Sequence, residues 1–474
     1  MNIVRIKVDN VYGKILDPIP EKVFKELREE CSYVSKQLAY SSRQYGYHPH
    51  PTYRFSKAMV FRVGLLSKIQ AILRSHSILS DIQIEMDDEI VGSPIEISSD
   101  FKLRDYQISS VDDILKRRKT AHEIATGGGK TIIMGDAIAK VGLKTTVLTN
   151  STVLLHQTAK VLRQMLNTDI GLVGDSIFDP KDITVAMVQS LEGVYDKDSV
   201  APNKEDKQTL IENTKFLIVD ECHRIAAKTI FELSSGFRHA CCAAFFTATM
   251  RRLDGKDLDL EAASGPINYS VDMHTLIEKD WLVRPHVYYL KVPPRYISPK
   301  DSHLVNCKVY NTLREFHIDK YQERTELIAE AARVLMHNEH STLIAVRHID
   351  HGNKIKELLP CAVEIYAETY NRVQLFDEFR NGKIPVVIST LCKEGIDIPR
   401  CSAVIIAHDT QDAQQLVGRI VRLYPGKERA IVVHMVDEHP IFKKHIKYNE
   451  KVFYKPQKIA TEYITEDDLA KVLQ

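Results

Sequence analysis

One device recurs along most of this chain: a short, almost wholly apolar run, then a stretch with helical spacing. "TTVLTN", "DITVAMV", "KFLIVD" and "CCAAFFTAT" form one block beginning near residue 101. "STLIAV", "IPVVIST", "CSAVIIA" and "RAIVVHMV" form a second from about residue 340. Short runs without polar alternation are strands buried on both faces, as in a parallel sheet covered by helices. The pattern predicts an α/β protein with two parallel-sheet domains in tandem, over 96–265 and 326–445. A bridging segment, 266–325, separates them. A charged, helical tail follows over 446–474.

Ahead of both lies a different texture. "IVRIKV" alternates like a strand, while "PEKVFKELREECSYVSKQL" and "VGLLSKIQAILRSH" have helical spacing, so residues 1–95 read as a small α+β domain. The acidic "DIQIEMDDEIVGSP" leads out of it, and "PNKEDKQ" at 202–208 reads as a surface loop. At 474 residues the chain is too long for one core. No apolar run is long enough to span a membrane, and the first residues lack a signal peptide's apolar stretch. The eight cysteines are scattered with no CxxC pair, which argues against a zinc site or disulfide framework and fits a reducing cytoplasm.

The net charge of +1 hides a local imbalance. Residues 31–80 hold Lys36, Arg43, Arg54, Lys57, Arg62, Lys68 and Arg74 with no Asp or Glu, interleaved with Tyr33, Tyr40, Tyr45, Tyr47, Tyr53, Phe55 and Phe61. Cations among flat side chains suit a polyanion with stackable bases. A half-buried domain whose acids lie elsewhere would show the same composition.

Three motifs bear chemistry. "ATGGGKT" (125–131) follows the strand-like "AHEIA" and precedes the helical "IIMGDAIAK". Glycines let backbone N–H groups approach phosphates, Lys130 would reach the terminal phosphates and Thr131 would bind Mg²⁺. The usual pattern opens with a glycine where this chain has Ile124, which sits at the strand end and can point into the core. "FLIVDECH" ends an apolar strand in Asp220, placed to hold a metal, and Glu221, placed to orient and deprotonate a water. An acidic helix start before "RIAAKTIFEL" is the alternative reading. "QLVGRIVR" puts Arg419 and Arg422 three apart on a helix, two cations suited to a transferring phosphoryl group or, alternatively, a solvated basic stripe.

Taken together the chain resembles the superfamily 2 helicases and translocases of the DExH type. "LRDYQ", "ATGGGKT", "VLTNST", "VQS", "DECH", "TAT", "STLCKEGIDIP" and "QLVGRIVR" stand in that family's order and span about 320 residues. The resemblance implies two RecA-like domains, with ATP and Mg²⁺ bound where they adjoin. It implies adenine contacts from Gln107 with Arg104 nearby, and phosphate contacts from Thr126, Gly127, Gly128, Gly129, Lys130 and Thr131. Metal would be held by Thr131 and Asp220, and water activated by Glu221. Gly395 and Asp397 would complete the site from the second domain, with Gln415 near the γ-phosphate and Arg419 and Arg422 as arginine fingers. His223, Thr247 and Thr249 would couple nucleotide state to grip. Ser151, Thr152, Gln189, Ser190, Arg347 and Thr390 would touch the nucleic-acid backbone.

Within the family, "TATMRRLDG" and the N-terminal "FRVGLLSKIQAIL" are similar to the XPB and UvsW branch, although the Arg-Glu-Asp motif reads Arg252-Leu253-Asp254 here. That branch implies a DNA helicase or translocase working as a monomer on forks, Holliday junctions, D-loops or R-loops, in replication, recombination or repair. Arg251, Arg252, Lys57 and Arg62 are then expected on DNA. RNA, an RNA–DNA hybrid, or service as the motor of a restriction-type complex are the alternatives.

Overall fold

The computed structural model describes residues 2–35, 50–84, 93–98, 101–117, 119–195, 202–225, 227–249, 256–305, 307, 309–391 and 397–473. The chain divides into two compact units, Met1–Ala125 with Gly129–Val271, and Thr126–Gly128 with Asp272–Gln474.

The first unit is built on an eight-stranded sheet in the order Ile177–Asp179, Gly171–Gly174, Ile183–Met187, Thr145–Thr149, Phe216–Val219, Cys242–Thr247, Lys119–Ile124, Ile267–Val271. Only the Ile177–Asp179 edge runs antiparallel to its neighbour. Every residue of Thr145–Thr149, Phe216–Val219 and Cys242–Thr247 is buried, which is why these strands read as unbroken apolar runs. The second unit carries seven strands, all paired in parallel: Val363–Ile365, Val386–Ser389, Thr342–Ala345, Ala403–Ile406, Ala430–Val436, Pro285–Lys291, Ala460–Ile464. Leu327, Ile328, Ala331 and Leu335 of helix Gln322–His337 pack into its core. The fold is thus two tandem RecA-like domains preceded by a small α+β domain. Among the described residues no helix is long and apolar enough to cross a membrane.

Several boundaries differ from expectation. The bridging segment is divided between the sheets: Ile267–Val271 closes the first and Pro285–Lys291 enters the second. The tail is not wholly helical, since Ala460–Ile464 pairs with Pro285–Lys291 as an edge strand. "PNKEDKQ" opens a helix, Lys204–Asn213, whose polar faces leave only Ile211 buried.

The small domain has a four-stranded sheet, Val60–Arg62, Tyr12–Ile15, Asn2–Val8, Ile78–Ile84, with helices Glu21–Glu30 and Leu66–Ser75 against it. Its core does not end at its own boundary. Leu258 and Ala262 of helix Asp257–Ser264 are buried in the same apolar cluster, and Phe231 packs against it. Arg54 donates to Asp259 at 2.5 Å, Tyr33 donates to the other Asp259 oxygen at 2.6 Å, and Lys68 pairs with Glu261 at 3.1 Å. Arg62 is 2 % exposed, donates to Ser234 at 2.8 Å and also to Ser235, and stacks its guanidinium on Phe231. The acids missing from residues 31–80 are therefore supplied by the first RecA-like domain. Arg62, expected on DNA, is instead an internal docking residue, because it is desolvated and its donors are turned to serine hydroxyls. Lys57 is exposed; Lys36 and Arg43 lie outside the described residues.

Gly64 marks the closest approach. A Cβ built there would lie 2.3 Å from the Glu261 carbonyl oxygen and 2.6 Å from that of Ala262. Backbone cannot yield as a flexible side chain would, so Gly64→Ala is expected to cost about 1–3 kcal/mol. The check is the denaturant midpoint of the full chain; an unchanged midpoint would show that the two surfaces are not in contact.

Candidate functional site

Chemistry-bearing residues of the first unit gather at the carboxyl ends of its parallel strands, where an open α/β sheet presents ligands. Strand Lys119–Ile124 ends with Ile124 fully buried, so the absent glycine is replaced by a core residue. The loop then turns through Gly127 (φ 85°) and Gly129 (φ 73°), both left-handed, and helix Lys130–Val141 begins. Gln107, 4 % exposed, lies against this loop: a Cβ on Gly129 would stand 2.5 Å from its Nε2. Its Oε1 accepts the Arg104 backbone N–H at 2.9 Å. Gln107, Arg104 and the glycine cradle are thus brought together as the sequence motifs require. Thr131 is half-buried on the first helical turn.

Opposite the cradle, strand Phe216–Val219 delivers Asp220 and Glu221. Lys130 Nζ donates to Glu221 Oε1 at 2.6 Å, in a pair whose side chains are 11 % and 16 % exposed. Glu221 holds a left-handed backbone (φ 48°), strain of a kind concentrated at functional sites. Its N–H donates to Asp220 Oδ1 at 2.9 Å. Two adjacent carboxylates sharing one lysine cannot be equal. Asp220 is pushed up to about 6, by burial first and then by the Glu221 charge, against the pull of Lys130. Glu221 is held down at about 2: burial opposes this, but Lys130, His223 and Arg224 outweigh it.

Glu221 adjoins a short hydrogen-bonded chain that starts at His223. His223 Nδ1 lies 3.4 Å from Glu221 Oε2 and 2.6 Å from the Thr247 hydroxyl. That hydroxyl donates to the Thr249 carbonyl at 2.7 Å and accepts the Thr249 N–H at 3.1 Å. His223, Thr247 and Thr249 thus physically join strand ends Phe216–Val219 and Cys242–Thr247. Glu221 Oε2 is buried and has no hydrogen-bond partner, which fits an oxygen meant for water or a ligand. The Asp220 carboxylate and the Thr131 hydroxyl are hard oxygens of the kind that suits Mg²⁺ beside phosphate.

A second group occupies neighbouring strand ends. Ser151 caps helix Thr152–Leu166, accepting the Leu154 N–H at 3.3 Å, and the exposed Gln189 donates to the Asn150 carbonyl at 3.2 Å. Strands Thr145–Thr149 and Ile183–Met187 pair directly, so Ser151, Thr152, Gln189 and Ser190 stand together. Arg251 and Arg252 lie outside the described residues.

In the second unit, Gln415 and Arg419 are buried on helix Ala413–Ile420. Arg422 does not continue that helix, which ends at Ile420; it turns instead to pair with Asp397. The two arginines therefore do not share one helix face as their spacing predicts. Arg347 is exposed after strand Thr342–Ala345, and Thr390 is half-buried after Val386–Ser389. Gly395 lies outside the described residues. Sequence reading missed Arg224, whose charge helps hold Glu221 ionised; a cation directly after "DECH" was the available signal.

A glycine cradle with its lysine against the buried Asp220 and the half-buried Glu221 is the arrangement of a P-loop nucleotide site, and a second parallel-sheet domain with a buried arginine follows it in the chain. Residues 100–252 match the family described as Type III restriction enzyme, res subunit, and residues 320–424 match the helicase conserved C-terminal domain. DNA 3'-5' translocase XPB2 of Sulfurisphaera tokodaii is 23 % identical over 75 % of this chain and 86 % of its own length. ATP-dependent DNA helicase uvsW of Enterobacteria phage T4 is 22 % identical over 88 % of this chain and 87 % of its own. The chain spans 66 % and 60 % of the length of two other curated helicase relatives. A solved structure of DUF1998 helicase MrfA bound to DNA and AMPPNP shares the fold, with TM-score 0.55 and 14 % identity over 80 % of this chain and 57 % of that one. The chain thus carries a Type III restriction enzyme res-subunit domain and a helicase conserved C-terminal domain, and it is similar to helicases and translocases of the XPB and UvsW branch.

The raised Asp220 value carries a consequence for stability. Asp220 binds its proton more tightly folded than unfolded, so its ionisation costs stability above pH about 6. That cost shrinks as pH falls through the folded value and is gone below the ordinary value of 3.8. Asp220→Asn keeps the acceptor for the Glu221 N–H and removes the charge. The nucleotide-free variant is expected to exceed wild-type stability at pH 8 by on the order of 2 kcal/mol, with the gap closing toward pH 4. Thermal melts across that range decide it; a gap independent of pH would contradict the reading.

Proposed function

We propose that this protein is an ATP-driven DNA helicase or translocase that remodels branched DNA. The observation that carries the proposal is the Lys130–Glu221 ion pair set against the glycine cradle, with Asp220 buried beside it. On this reading the β- and γ-phosphates take the place of Glu221 on Lys130, which frees Glu221 to orient and deprotonate the attacking water. Thr131 and Asp220 hold Mg²⁺, which when bound offsets charge on the phosphates. Arg419 and Arg422 supply positive charge to the transferring phosphoryl group, with Gln415 beside the water, and Asp397 and Gly395 complete the nucleotide contacts.

The His223–Thr247–Thr249 chain gives hydrolysis a route to the nucleic-acid grip, because it starts beside the water-activating carboxylate, 3.4 Å from Glu221 Oε2, and crosses to the next strand end. Ser151, Thr152, Gln189, Ser190, Arg347 and Thr390 hold the backbone without reading bases, so binding is independent of sequence and weakened by salt. Lys57 and the Arg251–Arg252 segment add contacts toward the junction. The likeness to the phage relative, a DNA helicase matched over 88 % of this chain and 87 % of its own length, supports DNA as the substrate.

Lys130→Ala is expected to lower DNA-stimulated ATP turnover by about 10²-fold to 10³-fold or more while leaving DNA affinity intact. Wild-type turnover in that variant would overturn the nucleotide assignment. Forks, Holliday junctions, D-loops, R-loops, plain duplex and RNA should be compared as stimulators. Branched DNA is expected to lead, and equal or better stimulation by RNA alone would move the substrate to RNA.

A further inference from the structure

Lys427 lies in the turn after helix Ala413–Ile420, outside every motif that singled out the site. Its ammonium has three N–H donors and the fold gives each a backbone carbonyl: Pro399 at 2.8 Å, Cys401 at 2.7 Å and Arg422 at 3.0 Å. The turn is shaped to put it there. Gly426 adopts φ 77°, and the Lys427 N–H donates to the Tyr424 carbonyl at 3.0 Å. Two of the three carbonyls belong to the segment after Asp397; the third belongs to Arg422 itself. The Arg422 side chain then reaches back to Asp397. The same two segments are thus tied twice, once through the main chain by Lys427 and once through the Arg422–Asp397 pair. The Asp397 carbonyl is fixed independently, accepting from Arg380 Nε at 2.5 Å.

Charge-assisted bonds from one ammonium to three carbonyls are stronger than neutral ones, and they fix where the Arg422 main chain runs. A long arginine can meet a developing charge only if its root is held to within a fraction of an ångström. We infer that Lys427 is a positioning residue for ATP hydrolysis, holding Arg422 and Asp397 in mutual register by clamping the carbonyls of Pro399, Cys401 and Arg422. This rests on the proposed function of Arg422 but concerns a residue that touches neither nucleotide nor nucleic acid.

The site has a titration signature. Burial lowers the Lys427 ammonium to about 8, against the pull of the Cys401 thiol and aided by the Arg422 guanidinium. Cys401 is itself buried and pushed up to about 12, so it stays neutral across the working range. Above pH 8 the clamp loses a proton, and with it one of three donors and the charge.

The test pairs kinetics with a structural readout. Lys427→Met is expected to lower kcat for DNA-stimulated ATP hydrolysis by roughly 10-fold to 100-fold with KM for ATP changed far less. Lys427→Arg, which stays charged, is expected to recover part of kcat and to lose the alkaline fall near pH 8 that wild type shows. Hydrogen–deuterium exchange on the nucleotide-free full chain is expected to quicken in Lys427→Met at residues 397–401 and 421–424 while strands Ala403–Ile406 and Ala430–Val436 stay protected. Wild-type kcat in Lys427→Met, or unchanged exchange in those two segments, would overturn the inference. Loss of protection throughout the unit would overturn it too, by making Lys427 a general stability residue. If wild type hydrolyses no ATP with any nucleic acid, the proposed function fails by itself, and the exchange experiment still decides whether Lys427 clamps Arg422.

Discussion

The site depends on one unequal sharing: two consecutive carboxylates, Asp220 buried and Glu221 half-buried, and a single lysine. Lys130 goes to Glu221, not Asp220: Glu221 holds a left-handed backbone, and its N–H donates to Asp220 Oδ1. Glu221 is therefore charged and partly satisfied, while Asp220 is charged only at a cost. On the proposed function, a divalent cation would relieve that cost and a triphosphate would replace the carboxylate on Lys130. Differential binding of this kind can shift a conformational equilibrium.

The small domain carries a second lesson about charge. Its acid-free stretch looks like a nucleic-acid surface, yet Arg54, Arg62 and Lys68 are spent on Asp259, on Ser234 and Ser235, and on Glu261. Compositional imbalance in one segment was answered by helix Asp257–Ser264, some two hundred residues away in sequence. That helix starts directly after the "MRRLDGK" stretch, so whatever the arginines there contact, the small domain is rigidly tied to the element that follows them. Among the described residues of the segment, Lys57 and Arg74 remain exposed and available to a polyanion.

Much of this was legible in the chain. The central strands were readable because every residue in them is buried, which leaves no polar interruption to confuse the period. Edge strands were not: Ile177–Asp179 and Ala460–Ile464 are mostly exposed and carry no apolar signature. Helix Lys204–Asn213 was hidden by a composition that also suits a loop. The nucleotide residues were legible because their chemistry fixes both residue type and spacing. Arg422 was placed wrongly on the helix because helix ends depend on what the following chain can bond to, and Lys427 supplies that bond from five residues on. Arg62 was misread for the same reason at longer range, since no local pattern reports which surface a neighbouring domain will cover.

The central claim is that Glu221 moves from holding Lys130 to activating water. Single-turnover hydrolysis of labelled ATP by Glu221→Gln, on saturating forked DNA, tests it most directly. The account expects ATP to bind with near wild-type affinity and the chemical step to slow by about 10²-fold or more. A chemical step as fast as that of the wild type would contradict it.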